Sequence, residues 1–168
     1  MKSRIIYILS KVVLFSYLIQ WVIVLVGSPG NPEKYKPDLS VSHLTVDPAR
    51  LVLGENITLI YIIKNDGKAD VIKKNINYSV YISSNHLFDP EDLRILSIDE
   101  QGFTLKSGKT TSKKKFVFQL PAVDKLKGVK GFLSNQVLYL IFMVDRKNII
   151  RESREDNNFK YALIYLLR

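Results

Sequence analysis

The sequence predicts an all-β fold. It is an immunoglobulin-like antiparallel β-sandwich of about seven to eight strands, preceded by one N-terminal hydrophobic helix. Three observations predict it. Apolar and polar residues alternate with period two over much of residues 38–168, as half-buried strands require. Turn formers such as Asn65-Asp66-Gly67 and Lys106-Ser107-Gly108-Lys109 separate these runs. Residues 5–27 are apolar apart from Ser10, Lys11, Ser16 and Gln20, and Ser28-Pro29-Gly30-Asn31-Pro32 ends that run at once.

As a helix, residues 5–27 would span roughly 34 Å, about the thickness of a bilayer core. Lys2 and Arg4 before them place the N-terminus in the cytoplasm and the rest outside. Two fates stay open for residues 1–28. A signal peptide would be cut near Gly27 or Gly30, although Pro29 hinders cutting after Ser28 and Leu25 is a poor small residue. A signal-anchor transmembrane helix would be retained, with Tyr17 and Trp21 as interfacial residues. Either way the remainder is exported to the cell envelope, and an uncleaved chain meets the membrane through residues 5–27. Residues 29–37 form a linker, and residues 38–168 form the sandwich.

Within the domain, Leu39-Ser40-Val41-Ser42 alternates and Leu44-Thr45-Val46 continues the first strand to Asp47-Pro48. Residues 50–56 read as a turn region in which Gly54 takes a positive φ cheaply. Residues 57–64 form a strong strand, stopped by Asn65-Asp66-Gly67. Residues 76–83 alternate again, and residues 85–92 form a polar loop. Residues 93–98 make a short strand, and Phe103-Thr104-Leu105 leads into the turn at Gly108. Residues 113–120 form a strand with Phe116 and Phe118 on one face. Residues 121–135 are a long connection, with one short helical turn at residues 124–127. Residues 136–144 and 159–167 close the domain around a polar corner.

Composition narrows the function. The 168-residue chain is 46% hydrophobic, too apolar for disorder. It has no Cys and only two His, His43 and His86, which removes thiol chemistry and argues against a His-rich metal site. The net charge is +9, of which +4 lies in residues 1–37. The domain's charges are interspersed, the pattern of a soluble surface, and no nucleic-acid partner is expected. No G-x-S-x-G elbow, phosphate loop or other catalytic signature is present, so no enzyme and no catalytic residue is expected.

Six segments carry a family likeness, in order. They are Pro37-Asp38-Leu39-Ser40-Val41, then Leu53-Gly54-Glu55 with Ile57-Thr58-Leu59, then Ile63-Lys64-Asn65-Asp66-Gly67-Lys68-Ala69-Asp70. Val80-Tyr81-Ile82-Ser83 with Leu87, Asp89 and Asp92 follows, then Leu105 with Gly108, then Val144-Asp145 through Asn157-Asn158. From Lys36 to about Leu166 the chain resembles CARDB, the cell-adhesion-related domain found in bacteria. The resemblance implies an immunoglobulin-like sandwich serving as a binding or adhesion module. The connection 121–135 is longer than the family's usual one. The family's modules also usually occur in tandem, whereas this one stands alone behind a hydrophobic leader.

Ligand-like chemistry is confined to acidic loops. Asp89, Glu91 and Asp92, with Asn85, are weak Ca²⁺ candidates, and Asp145, Glu152, Glu155 and Asp156 form a second set. The competing expectation is that these side chains cap turns. Asn157 and Asn158 are expected to satisfy backbone groups where the chain re-enters the sheet. Lys113-Lys114-Lys115 could meet an anionic surface or protect a strand edge. No cofactor is otherwise expected.

The strands at 57–63 and 137–144 are apolar at nearly every position, which implies cover on both faces. If Ile57, Leu59, Tyr61 and Ile63 point inward, Ile60 and Ile62 point out. If Leu138, Leu140, Phe142 and Val144 point inward, Tyr139, Ile141 and Met143 point out. Those five outward residues are the interaction-surface candidates, covered by a protein partner, by self-association or by the chain's own loops. The sequence thus predicts an exported, membrane-tethered, non-catalytic module for protein–protein interaction at the cell envelope. The alternative is a Ca²⁺- or carbohydrate-binding accessory module.

Overall fold

The computed structural model describes residues 35–129 and 137–167. The leader expected over residues 1–28 and most of the linker lie outside the described residues, as do residues 130–135 of the long connection. Among the described residues no helix is long and apolar enough to cross a membrane.

The described chain forms eight strands: β1 (Leu39–Asp47), β2 (Arg50–Val52), β3 (Asn56–Asn65), β4 (Val71–Ser83), β5 (Leu93–Leu105), β6 (Lys114–Gln119), β7 (Val137–Val144) and β8 (Phe159–Leu167). One short helical turn, α1 (Val123–Leu126), follows β6. A three-stranded sheet has the order β1-β3-β6, and a five-stranded sheet has the order β2-β8-β7-β4-β5. The all-β sandwich read from period-two alternation is therefore present, with three revisions. Residues 50–52, read as turn, form β2, which pairs parallel with β8. Three residues carry too little pattern to announce such a pairing.

Strand β4 begins five residues before the alternation becomes regular. Its first stretch is polar and irregular, with Lys73 at φ 46° and register shifts against β5. The two pieces expected at 93–98 and 103–105 are one strand, because Gly102 takes φ 71° and carries the chain through the irregularity.

The strong strand β3 alternates as its sequence predicts. Ile57, Leu59, Tyr61 and Ile63 are buried, and Thr58, Ile60, Ile62 and Lys64 are half-buried on the other face. They meet Ile76, Tyr78, Val80 and Ile82 from β4 and Leu138, Leu140, Phe142 and Val144 from β7 in one core. Tyr61 and Tyr78 stack with Phe116 and Phe142 at its centre, with ring centroids 4.5 Å apart for Tyr61 and Phe142. Aromatic burial of this kind contributes about 2–3 kcal/mol per ring. The Tyr78 hydroxyl donates to Glu100 Oε2 at 2.6 Å, and Lys114 Nζ donates to both Glu100 oxygens. Lys114 is thus tied to Glu100, whereas Lys115 is exposed. Leu126 of α1 and Val129 close the core, so the described part of the long connection is a plug.

Gly67 has a steric role beyond its turn dipeptide. A Cβ there would overlap the backbone of Lys36, Pro37 and Asp38, where the first strand enters. Lys68 and Ala69 amides both donate to Lys36 O at this crossing. Gly67→Ala is expected to destabilise the chain by about 2 kcal/mol. Urea unfolding checks this, and a shift of midpoint within error would show that the entering strand can move aside.

Candidate functional site

Three places were singled out from sequence: the acidic loop at 85–92, the acidic corner at 145–158, and the outward residues of β3 and β7. In the first, Asn85, Asp89, Glu91 and Asp92 do line one hollow of about 130 Å³, with Gly128 and Val129 opposite. Asn85, Asp89 and Asp92 nevertheless each turn one oxygen into the loop. Asn85 Oδ1 accepts from the Leu87 amide at 2.7 Å, Asp89 Oδ1 from the Glu91 amide, and Asp92 Oδ2 from the Asp89 amide at 2.8 Å. Among the described residues, no three His, Cys, Asp or Glu side chains converge closely enough to hold a metal ion. These three bonds are those of capped turns. Millimolar CaCl₂ is expected to move the thermal midpoint of the chain by no more than about 1 °C. A rise of several degrees would show that the loop rearranges around the ion.

The acidic corner is a tie between the last strands and the first. Asp145, at φ 49° and fully buried, accepts the Ile149 amide on Oδ1 and the Ile150 amide on Oδ2 at 2.7 Å. Glu152 is buried and accepts from the Leu39 amide and, at 2.7 Å, from Asn158 Nδ2. Glu155 Oε1 accepts the Glu152 amide, and Asn157 Nδ2 donates to Asp38 Oδ1 at 2.8 Å. Asn157 and Asn158 thus bind carboxylates rather than the backbone groups expected of them. Burial pushes the Glu152 carboxyl up to about 8, against the pull of its two donors. Burial also raises Asp145. Asp145, Glu152 and Glu155 of the second Ca²⁺ set thus accept internal bonds, and exposed Asp156 pairs with exposed Arg154. Beside it lies a hollow of about 510 Å³, lined by Phe88, Met143, Arg146, Glu155 and Phe159 among others. The Arg146 guanidinium sits 5.2 Å from the Phe88 ring centre.

The outward residues divide. Ile60 and Ile62 are half-buried on the outer face of the three-stranded sheet, opposite Thr45 and His43. Exposed Val117 lies on β6 of the same sheet, opposite Thr58. On the five-stranded sheet, Ile141 is fully buried and Met143 nearly so, packed with Tyr81 under Phe88 and beside Phe159. Phe88 belongs to the 84–92 loop, so the chain's own loop covers this end of β7. Ile141 and Met143 consequently leave the set of surface candidates. Tyr139 remains half-buried, with its ring 5.5 Å from Tyr161 and 6.2 Å from His86.

An open apolar row lies one strand over, on β8, whose apolar run the sequence marks but whose residues are not among the five candidates. Tyr161, Leu163, Tyr165 and Leu167 on β8 are 43–50% exposed. Register sets Val137 beside Tyr165 on β7 and Val52 beside Leu167 on β2, and both are exposed. The inward partners Ile164 and Leu166 are buried. The signal was in the sequence, since residues 159–167 are apolar at both parities as residues 137–144 are. Which of the two strands the loop would cover could not be read from either. His43 and His86 serve different sheets, and His86 stacks near Tyr139 and Tyr161.

Comparison with known proteins adds a family and a fold. The CARDB family model matches residues 36–162. Among solved structures, the chain is similar to the CARDB domain of the PF1109 protein from Pyrococcus furiosus, a structure in complex with di-metal ions. It has 15% identity to that domain over 79% of this chain and 90% of that one, with a TM-score of 0.51. It is also similar to a domain of a Methanosarcina acetivorans protein provisionally named a cell surface protein, with 21% identity, coverage of 79% and 94%, and a TM-score of 0.48. Among the curated proteins none matches.

Proposed function

Because this chain belongs to the CARDB family of non-catalytic modules, we propose that it is an exported, membrane-tethered binding module that engages a protein partner at the cell envelope. The observation that carries the proposal is the row Tyr161, Leu163, Tyr165 and Leu167, flanked by Val52 and Val137. A contiguous row of this kind is uncommon on a surface that meets only water, and tyrosine is enriched at interface centres. The rigid sheet beneath holds the rings in place, so binding orders little that was free. Tethering rests on the apolar run at residues 5–27 behind Lys2 and Arg4.

Crosslinking of the full chain in the intact envelope tests the reading. The wild type is expected to give a crosslinked species that is lost in a Tyr161→Ser/Tyr165→Ser variant of unchanged stability. Equal crosslinking by both would move the site off this face, and none from the wild type would remove the binding reading. Tethering predicts an intact mass of 19.3 kDa for the mature chain. Loss of about the first 28 residues would mean a cleaved, secreted form.

A further inference from the structure

We propose that the end of the sandwich where the chain enters docks on an anionic phospholipid bilayer through Lys68, Lys106 and Lys109. The inference builds on the tethered reading above. Two loops form this end, residues 65–70 after β3 and residues 105–110 after β5, and they are bonded to each other. The Asn65 amide donates to Lys109 O at 2.9 Å, and the Gly108 amide to Asn65 O at 2.8 Å. Ser107 Oγ donates to Gly67 O at 2.6 Å, and the Ser107 amide to Asp70 Oδ1 at 2.8 Å. The entering segment joins the same knot, because the Lys68 amide donates to Lys36 O at 3.0 Å. Three exposed lysines are thereby held on one rigid platform, and each lacks a carboxylate partner among the described residues.

Of the carboxylates nearby, Asp66 is neutralised by Lys64 and accepts from Ser40, while Asp70 and Asp38 keep their charge and accept from the Ser107 amide and Asn157, leaving the three lysines in excess. The adjoining corner at 145–158 carries four basic and four acidic side chains, so it adds no negative charge to this end. Two exposed apolar side chains flank the platform. Tyr35 is 61% exposed where the chain enters, and Ile72 is 60% exposed beside Val71, which pairs with Leu105. Unpaired lysines around an aromatic and an aliphatic side chain complement an anionic headgroup layer. Residues 28–34 can reach at most roughly 25 Å, so a chain held in a bilayer by residues 5–27 keeps this end within reach of the headgroups. The opposite end, with exposed Lys125, points away.

The test uses the full chain in nanodiscs of phosphatidylcholine alone and of phosphatidylcholine with about 30% phosphatidylglycerol. Lysine acetylation rates are read by mass spectrometry, with Lys125 as internal reference. Lys68, Lys106 and Lys109 are expected to label about tenfold more slowly in the anionic discs, and high salt should erase the difference. Equal labelling in the two lipids overturns the inference. Retention on the neutral discs at high salt reports the tether separately. A chain washed off neutral discs but still protected on anionic ones would overturn the tethered reading and leave this one standing.

Discussion

Replacing Asn65 with Leu is expected to cost about 4 kcal/mol, enough to remove much of the stability of a domain this size. Asn65 is fully buried, and all of its side-chain valences are used. Its Oδ1 accepts the Asp38 and Gly67 amides, each at 3.1 Å. Its Nδ2 donates to Ala69 O at 2.8 Å and Leu105 O at 3.1 Å. One amide group thus joins the start of β1, the end of β3, the loop before β4 and the end of β5. Leu has a similar volume and fits the space, so the loss is in polar satisfaction rather than packing. The Asp38 amide and Leu105 carbonyl would be stranded in the interior and the Gly67 amide and Ala69 carbonyl partly so, a buried group costing about 1–3 kcal/mol before relaxation. Urea unfolding of the full chain measures it. A loss below about 1 kcal/mol would show that these groups find water or other partners.

The second large effect is a dependence of stability on pH centred on Glu152. Its carboxyl titrates at about 8 in the folded chain against an ordinary value of 4.5. The folded chain therefore holds a proton between those values that the unfolded chain has released. Its contribution is full below about pH 4.5 and is lost as pH rises toward 8. Stability is expected to fall by about 3 kcal/mol between pH 5 and pH 8. Asp145, raised by the same burial, acts in the same direction. Glu152→Gln removes the ionisation while keeping an acceptor for Leu39 or Asn158, so its unfolding free energy should vary much less over that range. Denaturant unfolding of both chains at the two pH values decides the matter. A wild type equally stable at each would mean that its two donors hold Glu152 ionised throughout.

Much of the architecture was legible because β-strands write their burial into sequence at period two. The buried and half-buried positions of β3 follow Ile57 to Ile63 without exception. Phe116 and Phe118 both pack on the core, as their shared face predicted. Asn65-Asp66-Gly67 marked the turn, although its stabilising contacts reach Asp38 and Leu105, far along the chain. Strand β2 was not legible, because three residues in a parallel pairing leave no periodic trace.

The candidate site was legible only in kind. Apolar residues at both parities in residues 137–144 and 159–167 said that the five-stranded sheet has an apolar outer face. They could not say that Phe88 would fold over Ile141 and Met143 and leave Tyr161, Leu163, Tyr165 and Leu167 open. The acidic residues of 145–158 were visible as charges; Asp145 caps the local Ile149 and Ile150 amides, whereas the use of Glu152 as acceptor for the Leu39 amide depends on the chain's return beside β1.

By itself the sequence determined the fold class, the inward faces of β3, β6 and β7, the absence of thiol chemistry and the family likeness. These depend on local periodicity, turn chemistry and composition. Tertiary structure alone decided which apolar face stays open, that Glu152 is buried against the start of β1 and which lysines share one platform. Each of those outcomes depends on contacts between residues distant in the chain, and no local pattern encodes them.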